Sequence, residues 1–404
     1  MNFTPIPTPQ QAAFQDWAFG LFFHFGIRTF YEGHRDWDGK PMPAGAFNPT
    51  ALDCRQWTAA ARAAGAKYAV LVAKHHDGFA NWPTRYSDYS VAQTPWKGGK
   101  GDVVREFVEA CRADNLKVGL YYSPAQAGFL NWQPREYDDY FVNQITELLT
   151  NYGKIDYLWF DACGSGDHRY DTPRIVQVIR RLQPDILLFN LWDPDTRWIG
   201  NESGVAGLET RSYVDTLDTA VDVPNPQKMA RRAFLPAECD CCIRGHTWFY
   251  SDANEDQLKS VEELFGLYCA SVGNNANFLL NVGPDRRGLL PEKDVERLTG
   301  LGREIRRRFQ DNVLPCTVAV TEGVYRCTLP ETRLVGGLVL EEDPGERITA
   351  FQVALQPADG SRPVTVYRGQ GVGRRRFCLF PPLATREITV TPDAPTLSRI
   401  TLIR

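Results

Sequence analysis

Polar side chains recur where a series of short apolar runs ends. They are histidines, carboxylates, amides and a tyrosine, at His24, His75, His76, Tyr121, Asp161, Asn190, Glu209, Glu238, Asp240 and Asn281. An apolar run that forms a buried strand does not need such residues for its own packing. If the runs are parallel strands of one barrel, their carboxyl ends meet on a single rim and these side chains converge there. We therefore predict a functional site on that rim.

The residue types in this set limit the reaction. Neighbouring residues of a strand point to opposite sides, so the pair His75 and His76 disfavours a shared metal ion, and we expect no metal and no cofactor. The sequence has no G-x-S-x-G motif for a nucleophilic serine. Glycoside hydrolysis needs paired carboxylates, one to attack or stabilise a sugar carbon and one to protonate the leaving oxygen. Aromatic side chains that could stack on a sugar stand at Trp37, Tyr121, Trp159, Trp198, Trp248 and Phe249.

The elements that would position these residues follow from the apolar runs. The runs predict eight strands, at 19–26, 67–77, 117–124, 156–162, 185–190, 205–210, 233–240 and 277–284. Their central residues are nearly all apolar, as in parallel strands that are buried on both faces. Helical patterns separate most of them, at 51–65, 102–115, 137–152, 172–182, 256–272 and 291–309. The alternation predicts an α/β fold of the (β/α)8-barrel type. A doubly wound open sheet is the alternative, but the sequence has no glycine-rich phosphate loop after the first strand.

The last part of the chain has a different pattern. From about residue 314 onward, apolar and polar residues alternate with period two between turns rich in proline, glycine and aspartate. This pattern predicts a small antiparallel β-sandwich. We expect residues 1–312 to form the catalytic barrel and residues 313–404 to form the sandwich. No aromatic platform stands out in the second part, which favours a supporting role.

Composition narrows the class of partner. The formal net charge of -4 argues against nucleic acid as the main partner. No run approaches the 18 or so uninterrupted apolar residues of a membrane span, so we expect no membrane partner. The first ten residues are polar and contain three prolines, without the apolar core of a secretory signal, and we expect a cytoplasmic protein. The sequence leaves the oligomeric state open.

Five long strings resemble glycoside hydrolase family 29, the α-L-fucosidases. They are FGLFFHFG, KYAVLVAKHHDGFANWPTRYSDYSV, PWKGGKGDVVREFVEACRADNLKVGLYYSP, YGKIDYLWFDA and NANFLLNVGPDRRG, and the similarity covers most of residues 19–309. The resemblance implies a barrel followed by a β-sandwich, which agrees with the pattern of the residues. It also implies a fucosylated oligosaccharide or glycoconjugate as substrate, a double-displacement mechanism and no cofactor.

The resemblance assigns roles to particular residues. It implies that Asp161, which closes the motif LWFDA, is the nucleophile. It implies that fucose hydroxyls are held by the strand-end residues His24, His75, His76 and Tyr121. Trp159, Glu238 and Trp248 are further candidates for substrate contact, Trp248 as a wall near the C6 methyl group. A Glu-Trp pair of many relatives has its nearest equivalent in Asp36-Trp37, which makes Trp37 a candidate too.

The acid/base is the variable position of this family. The segment RWIGNESG resembles that of the subfamily acting on branched α-1,3/4-fucosides, which implies Glu202, in a loop after strand five, as the acid/base. Glu238, in PAECD, is interpreted as an orienting carboxylate and is the alternative acid, with Glu209 third. The loops at 31–46 and 125–129 depart from the pattern of that subfamily, which leaves open how they contact the leaving group of the substrate. The rival functions are an α-L-galactosidase on the same scaffold and a catalytically silent fucose-binding protein.

Overall fold

A computed structural model describes residues 5–34, 40–125, 134–161, 168–215 and 233–404. Its first ten strands, β1 to β10 in chain order, are Phe19–Phe23, Tyr68–Lys74, Lys117–Tyr122, Tyr157–Phe160, Leu187–Phe189, Arg197–Trp198, Tyr213–Val214, Ala233–Phe234, Ala237–Cys242 and Ala276–Asn281. Strands β7 and β8 pair with each other, and the remaining eight form one parallel sheet in the order β5-β4-β3-β2-β1-β10-β9-β6.

The parallel sheet curls into a nearly closed barrel. Its two edge strands are joined just before β6, where the Asn190 amide donates to the Thr196 carbonyl at 3.0 Å and the Thr196 amide donates to Leu188 at 3.2 Å. Every residue of β1, β2, β4, β9 and β10 is buried. Burial on both faces explains why these strands read as continuous apolar runs.

Seven helices, α1 to α7, accompany the barrel strands in the described part of the chain. They are Pro9–Trp17, Cys54–Ala64, Val103–Ala113, Pro134–Asn151, Thr172–Leu182, Val261–Ser271 and Glu292–Arg306. Short 3-10 turns lie at Ile27–Phe30, Ala44–Ala46, Val91–Gln93, Trp96–Gly99 and Asp252–Gln257, and a π turn at Arg307–Asp311. Side chains of Asp53, Asp102, Asp171 and Ser260 cap helix N-termini by accepting from backbone amides. No helix of the described residues is long and apolar enough to cross a membrane.

Two details of the predicted barrel are wrong. The sixth strand is not at 205–210, which form loop and turn, but at Arg197–Trp198. Two half-buried residues are too short and too polar a segment to stand out as an apolar run. The predicted strand at 233–240 is two strands, because β8 pairs with β7 and only β9 belongs to the barrel.

The antiparallel part begins after the π turn. Strands β11 to β17 are Val313–Leu314, Thr317–Thr321, Val324–Glu342, Phe351–Pro357, Val364–Gly369, Arg376–Pro392 and Leu397–Ile403. They follow the order β11-β17-β13-β16-β14-β15, with β12 on β13. Their buried side chains, among them Val335, Leu338, Val353 and Ile388, form a second hydrophobic core. The fold class is confirmed as a (β/α)8-type barrel followed by an antiparallel β-sandwich.

Strand β16 connects the two parts. Phe377 lies against Phe309, at 4.2 Å between ring centroids, and against Tyr268 at 5.9 Å. The fully buried Arg376 donates to the Leu208 carbonyl at 2.7 Å and to Asn274 Oδ1 at 2.6 Å. The sandwich therefore supports helix α6, which carries Tyr268, and the segment that follows β6.

Candidate active site

Asp161 follows β4 directly, at the carboxyl end of the barrel strand. The Tyr121 hydroxyl, from the neighbouring strand β3, donates to Asp161 Oδ2 at 2.8 Å. His76 Nε2 lies 3.6 Å from the same oxygen. The Asp161 side chain is 29% exposed, whereas that of His76 is 6% exposed. A carboxylate that is both held and open to solvent is suited to attack an incoming electrophile.

The histidine pair does not diverge as its strand positions suggested. Strand β2 ends at Lys74, after a register shift against β3 between Val72 and Lys74. His75 and His76 therefore lie beyond the strand, with ring centroids 4.2 Å apart. The ring of His75 stacks on Tyr121 at 5.6 Å and 11°. Within the described residues no three His, Cys, Asp or Glu side chains are grouped to hold a metal ion.

The Nδ1 atoms of two histidines have defined partners. Asn281 donates its side-chain amide to the Trp248 carbonyl at 2.7 Å, so its Oδ1 is the acceptor for His24 Nδ1 at 2.7 Å. Ser123 donates its hydroxyl to the Ala125 carbonyl at 3.2 Å, and its oxygen lies 2.5 Å from His76 Nδ1. These contacts orient both rings, and His76 Nε2 is directed at the Asp161 carboxylate.

Glu202 lies in a loop that is anchored at both ends to β9. The Ile199 amide donates to the Glu238 carbonyl, and the Gly204 amide to the Asp240 carbonyl, both at 3.0 Å. The Glu202 side chain is 39% exposed, and its Oε2 lies 3.1 Å from His246 Nε2. The loop follows the sixth strand and not the fifth as expected. Asp161 and Glu202 are therefore carried by β4 and β6, on either side of β5 and the closure, and not by neighbouring strands.

Asp240 is a buried acid close to both exposed carboxylates. Burial raises the pKa of its side chain well above the ordinary value, and the charges of Glu202, Glu238 and Asp161 act in the same direction. The Trp198 indole donates to Asp240 Oδ1 at 2.7 Å and opposes that shift. Burial and the neighbouring charges therefore act together against the charged form of Asp240.

Glu238 lies in the interior of the barrel, away from solvent. Its oxygens accept from the Tyr68 hydroxyl at 2.6 Å, the Trp159 indole at 2.9 Å and the Tyr157 hydroxyl at 3.2 Å. Burial raises its pKa to about 7, although these three hydrogen bonds act against the shift. The side chain is 1% exposed and three donors occupy its oxygens, which fits its interpretation as an orienting carboxylate, and its contact with substrate stays a prediction.

Trp159 connects this internal carboxylate to the rim. Its ring stacks on Phe189 at 4.0 Å and on Tyr121 at 5.4 Å, and it is 6% exposed. It therefore orients Tyr121 from below. Glu209, the third acid candidate, lies near Arg376 of the sandwich. Burial lowers the pKa of Arg376, and the charge of Glu209 acts in the opposite direction.

An aromatic wall completes the site on the β1 side. Trp248 lies 5.0 Å from His24, and Phe249 lies 5.4 Å from His24 and 5.1 Å from His75, measured between ring centroids. Beside the wall is a cavity of about 490 Å³, lined by Tyr31, Glu32, His34, His246, Trp248 and Tyr250 among others. Its size and mixed lining suit a second sugar unit.

Some predicted residues lie outside the described part of the chain, and two residues of the site were not predicted. Trp37, Asp36 and positions 126–129 of the second loop belong to the part that the structure does not describe. Ser123 and His246 are the site residues that the sequence did not single out. Ser123 follows β3 directly, so the strand-end rule could have found it. His246 lies four residues beyond β9 and carries no such signal.

Comparison with known proteins places the chain in a family. The α-L-fucosidase family model matches residues 6–308. Alpha-L-fucosidase 1 of Arabidopsis thaliana is 36% identical over 421 residues, which cover 93% of this chain and 82% of that protein. The crystal structure of a glycoside hydrolase 29 family member from an unknown rumen bacterium is 29% identical with a TM-score of 0.89, covering 100% of this chain and 78% of that one. A Ruminococcus gnavus GH29 fucosidase in complex with fucose, 24% identical with a TM-score of 0.85 over 99% of this chain and 95% of that one, shares the fold. The chain belongs to the α-L-fucosidase family, glycoside hydrolase family 29.

Proposed function

We propose that this protein is a retaining α-L-fucosidase in which Asp161 is the nucleophile and Glu202 the acid/base. The observation that carries the proposal is the setting of Asp161, a partly exposed carboxylate held by Tyr121 at the end of β4 and faced by His76. Glu202, in a loop anchored to β9, supplies the second exposed carboxylate close to Asp240. Together they meet the requirement of the reaction for two carboxyl groups with separate roles.

The reaction proceeds by double displacement. An Asp161 oxygen bonds to C1 of fucose while the bond from C1 to the leaving oxygen breaks, and Glu202 transfers its proton to that oxygen. A water molecule then attacks C1 on the opposite face and gives its proton to Glu202. The bond between C1 and Asp161 breaks, and fucose leaves with its original α configuration.

Histidine and tyrosine side chains hold the sugar. We assign contacts with fucose hydroxyls to His24, His75, His76 and Tyr121, which surround Asp161 or stack on one another. Trp248 and Phe249 would cover the C6 methyl group, whose burial contributes about 1 kcal/mol. An α-L-galactoside carries a hydroxyl at that position, so we expect the enzyme to discriminate against it.

The preferred linkage is a finer proposal. The similarity of RWIGNESG to the branched-substrate subfamily favours α-1,3- and α-1,4-linked fucose on branched glycans. The 490 Å³ cavity beside Trp248, which is also lined by the Glu202 partner His246, gives a leaving sugar a place. For the domain organisation we propose residues 1–312 as the catalytic unit and 313–404 as its support.

The test is release of free L-fucose from a branched Lewis-type trisaccharide and from an aryl α-L-fucoside. Asp161→Asn should lower kcat/KM by roughly 10³-fold or more, because the amide cannot form the covalent intermediate. Asp193→Asn, an exposed aspartate paired with Arg180, is the matched control. Proton NMR of the first turnovers should show the α anomer of fucose.

Each outcome has a distinct meaning. Release from the aryl fucoside alone retains the enzyme class and rejects the linkage preference. A first-formed β anomer rejects retention. Binding of fucose without release from either substrate, by the unaltered protein, would identify a fucose-binding protein instead.

A further inference from the structure

An exposed histidine contacts the proposed acid/base. His246 Nε2 lies 3.1 Å from Glu202 Oε2, with the two side chains 71% and 39% exposed. The residues come from loops that follow β9 and β6, which are neighbours in the barrel. His246 has no part in the double displacement described above, and its ring, 6.5 Å from Trp248, faces the cavity for the leaving sugar.

Both loops are fixed by backbone hydrogen bonds, so the contact joins two anchored segments. The Glu202 loop is held by Ile199 and Gly204 on β9. In the turn of His246, the Gly245 amide donates to the Gln257 carbonyl at 3.1 Å, and Lys259 Nζ donates to the Gly245 carbonyl at 3.1 Å. Two anchored loops present the pair with less loss of conformational entropy than two free ones.

We propose that His246 is the positioning residue of Glu202 and shares its proton during catalysis. The inference rests on the assignment of Glu202 as acid/base under the proposed function. In the form with one proton, that proton resides on Glu202 Oε2 or on His246 Nε2, and it passes between them along the hydrogen bond.

The proton balance follows from the two steps. When the bond to the leaving oxygen breaks, Glu202 gives up its proton and the pair is left with none. When water attacks C1, its proton goes to Glu202 and the pair again holds one. The alkaline limit of activity then follows the loss of the shared proton from the pair, whereas for an isolated glutamic acid it would follow a pKa near 4.3.

Other titratable groups lie around the pair. Burial raises the pKa of Asp240 and of Cys242 on β9, and the charge of Glu202 contributes to both shifts. Around His246 the cavity presents Arg28, Tyr31, Glu32, His34 and Tyr250, and Lys259 contacts the turn. His246 is in direct contact with Glu202, at 3.1 Å between Nε2 and Oε2.

The first test is direct titration of the histidine rings by NMR. His246 is assigned by the signal lost in His246→Gln. Its pKa in the unaltered protein should exceed that in Glu202→Gln by about half a unit, the size expected of a solvent-exposed pair. His168, which pairs with Asp138 at 3.0 Å and not with Glu202, is the internal reference and should not shift. An unchanged pKa for His246 overturns the proposal.

The second test is the pH profile of kcat/KM with phenyl α-L-fucoside, whose leaving group needs protonation. Proton sharing predicts that His246→Gln moves the alkaline limb to lower pH by about one unit or more, since a lone carboxyl group remains. If His246 acted only through its charge, its removal would raise the pKa of Glu202 and move the limb to higher pH. A limb that is unmoved or moves upward overturns the proposal.

Two controls separate this inference from the proposed function. With an aryl α-L-fucoside whose phenol is acidic enough to leave without protonation, His246→Gln should have nearly the kcat/KM of the unaltered protein. An equal loss of kcat/KM on this substrate and on phenyl α-L-fucoside contradicts proton sharing. Full activity of Glu202→Gln on phenyl α-L-fucoside would reject the acid/base assignment itself, and the NMR titration would still decide whether the pair exists. The thermal midpoint of His246→Gln should be unchanged because the side chain is 71% exposed.

Discussion

At the scale of the residue, the chemistry depends on three carboxyl groups in two kinds of environment. Asp161 and Glu202 are partly exposed and remain available to a substrate. Glu238 is buried within the barrel, where three donors occupy its oxygens. The identity of the side chain does not distinguish these roles. The environment distinguishes them, because desolvation penalises the charged form.

The buried carboxyl group predicts a dependence of stability on pH. Its folded pKa of about 7 is raised above the ordinary 4.5, so the protonated form stabilises the folded state below pH 4.5 and this contribution is lost as pH rises through 7. It amounts to roughly 3 kcal/mol over that window. In Glu238→Gln the free energy of unfolding should not show this decline with rising pH.

Urea unfolding at several pH values between 4.5 and 7 measures the decline. The difference between the variant and the unaltered protein isolates Glu238, because the remaining groups are common to both. Parallel pH dependences would show that Glu238 is ionised within the folded barrel. The variant keeps an oxygen that accepts from the Trp159 indole and replaces the one that accepts from the Tyr68 hydroxyl.

At the scale of the element, the loop after β6 is positioned by two glycines. Gly200 and Gly204 both have a positive φ, +96° and +70°. A Cβ atom at Gly204 would lie 2.8 Å from Cys241 Sγ and 3.1 Å from Phe278, whereas one at Gly200 would meet nothing within 4 Å. Both positions share the strain of an L residue in this region, and they differ in the available space.

We predict that Gly204→Ala displaces the loop and Gly200→Ala does not. The first variant should lose at least about tenfold in kcat/KM, since a shift of about 1 Å in a catalytic group costs that much or more. The second should keep most of its activity at a cost of about 1 kcal/mol in stability. Steady-state kinetics with urea unfolding distinguish the two effects. Equal losses of activity would mean that backbone strain, and not the contact with β9, governs Glu202.

At the scale of the whole molecule, barrel and sandwich are predicted to unfold together. Phe377 of β16 packs on Phe309 and Tyr268 of the barrel side. Phe377→Ala should reduce the free energy of unfolding by about 3 kcal/mol. Leu383→Ala, at a 43% exposed position of the same strand, should change it by less than about 0.5 kcal/mol.

Tryptophan fluorescence makes this measurement specific. All ten tryptophans of the chain precede residue 249, so their fluorescence follows the barrel alone. A lower urea midpoint in Phe377→Ala, detected by tryptophan fluorescence, shows that the sandwich stabilises the barrel. An unchanged fluorescence midpoint, with a separate transition in circular dichroism, would contradict a shared unfolding unit.

The sequence by itself determined the elements and most of the rim. Strands that are buried on both faces appear in the sequence as apolar runs, so β1 to β4 could be predicted. Packing alone does not need polar residues at the ends of such runs, which singled out His24, Tyr121 and Asp161. The fold class followed from the alternation of runs and helices. These signals are local, and a local periodicity can be recognised in the sequence without knowledge of the tertiary contacts.

Only the tertiary structure decided which strand completes the barrel and what each acid contacts. Strand β6 has two residues and is defined by its pairing with β9, a contact about forty positions away in the chain. Glu238 reads as a strand-end acid in the sequence, yet Tyr68, Tyr157 and Trp159 enclose it. The contact of His246 with Glu202 joins two loops with no shared motif. Burial and proximity between distant segments arise from packing, and no periodicity within a segment encodes them.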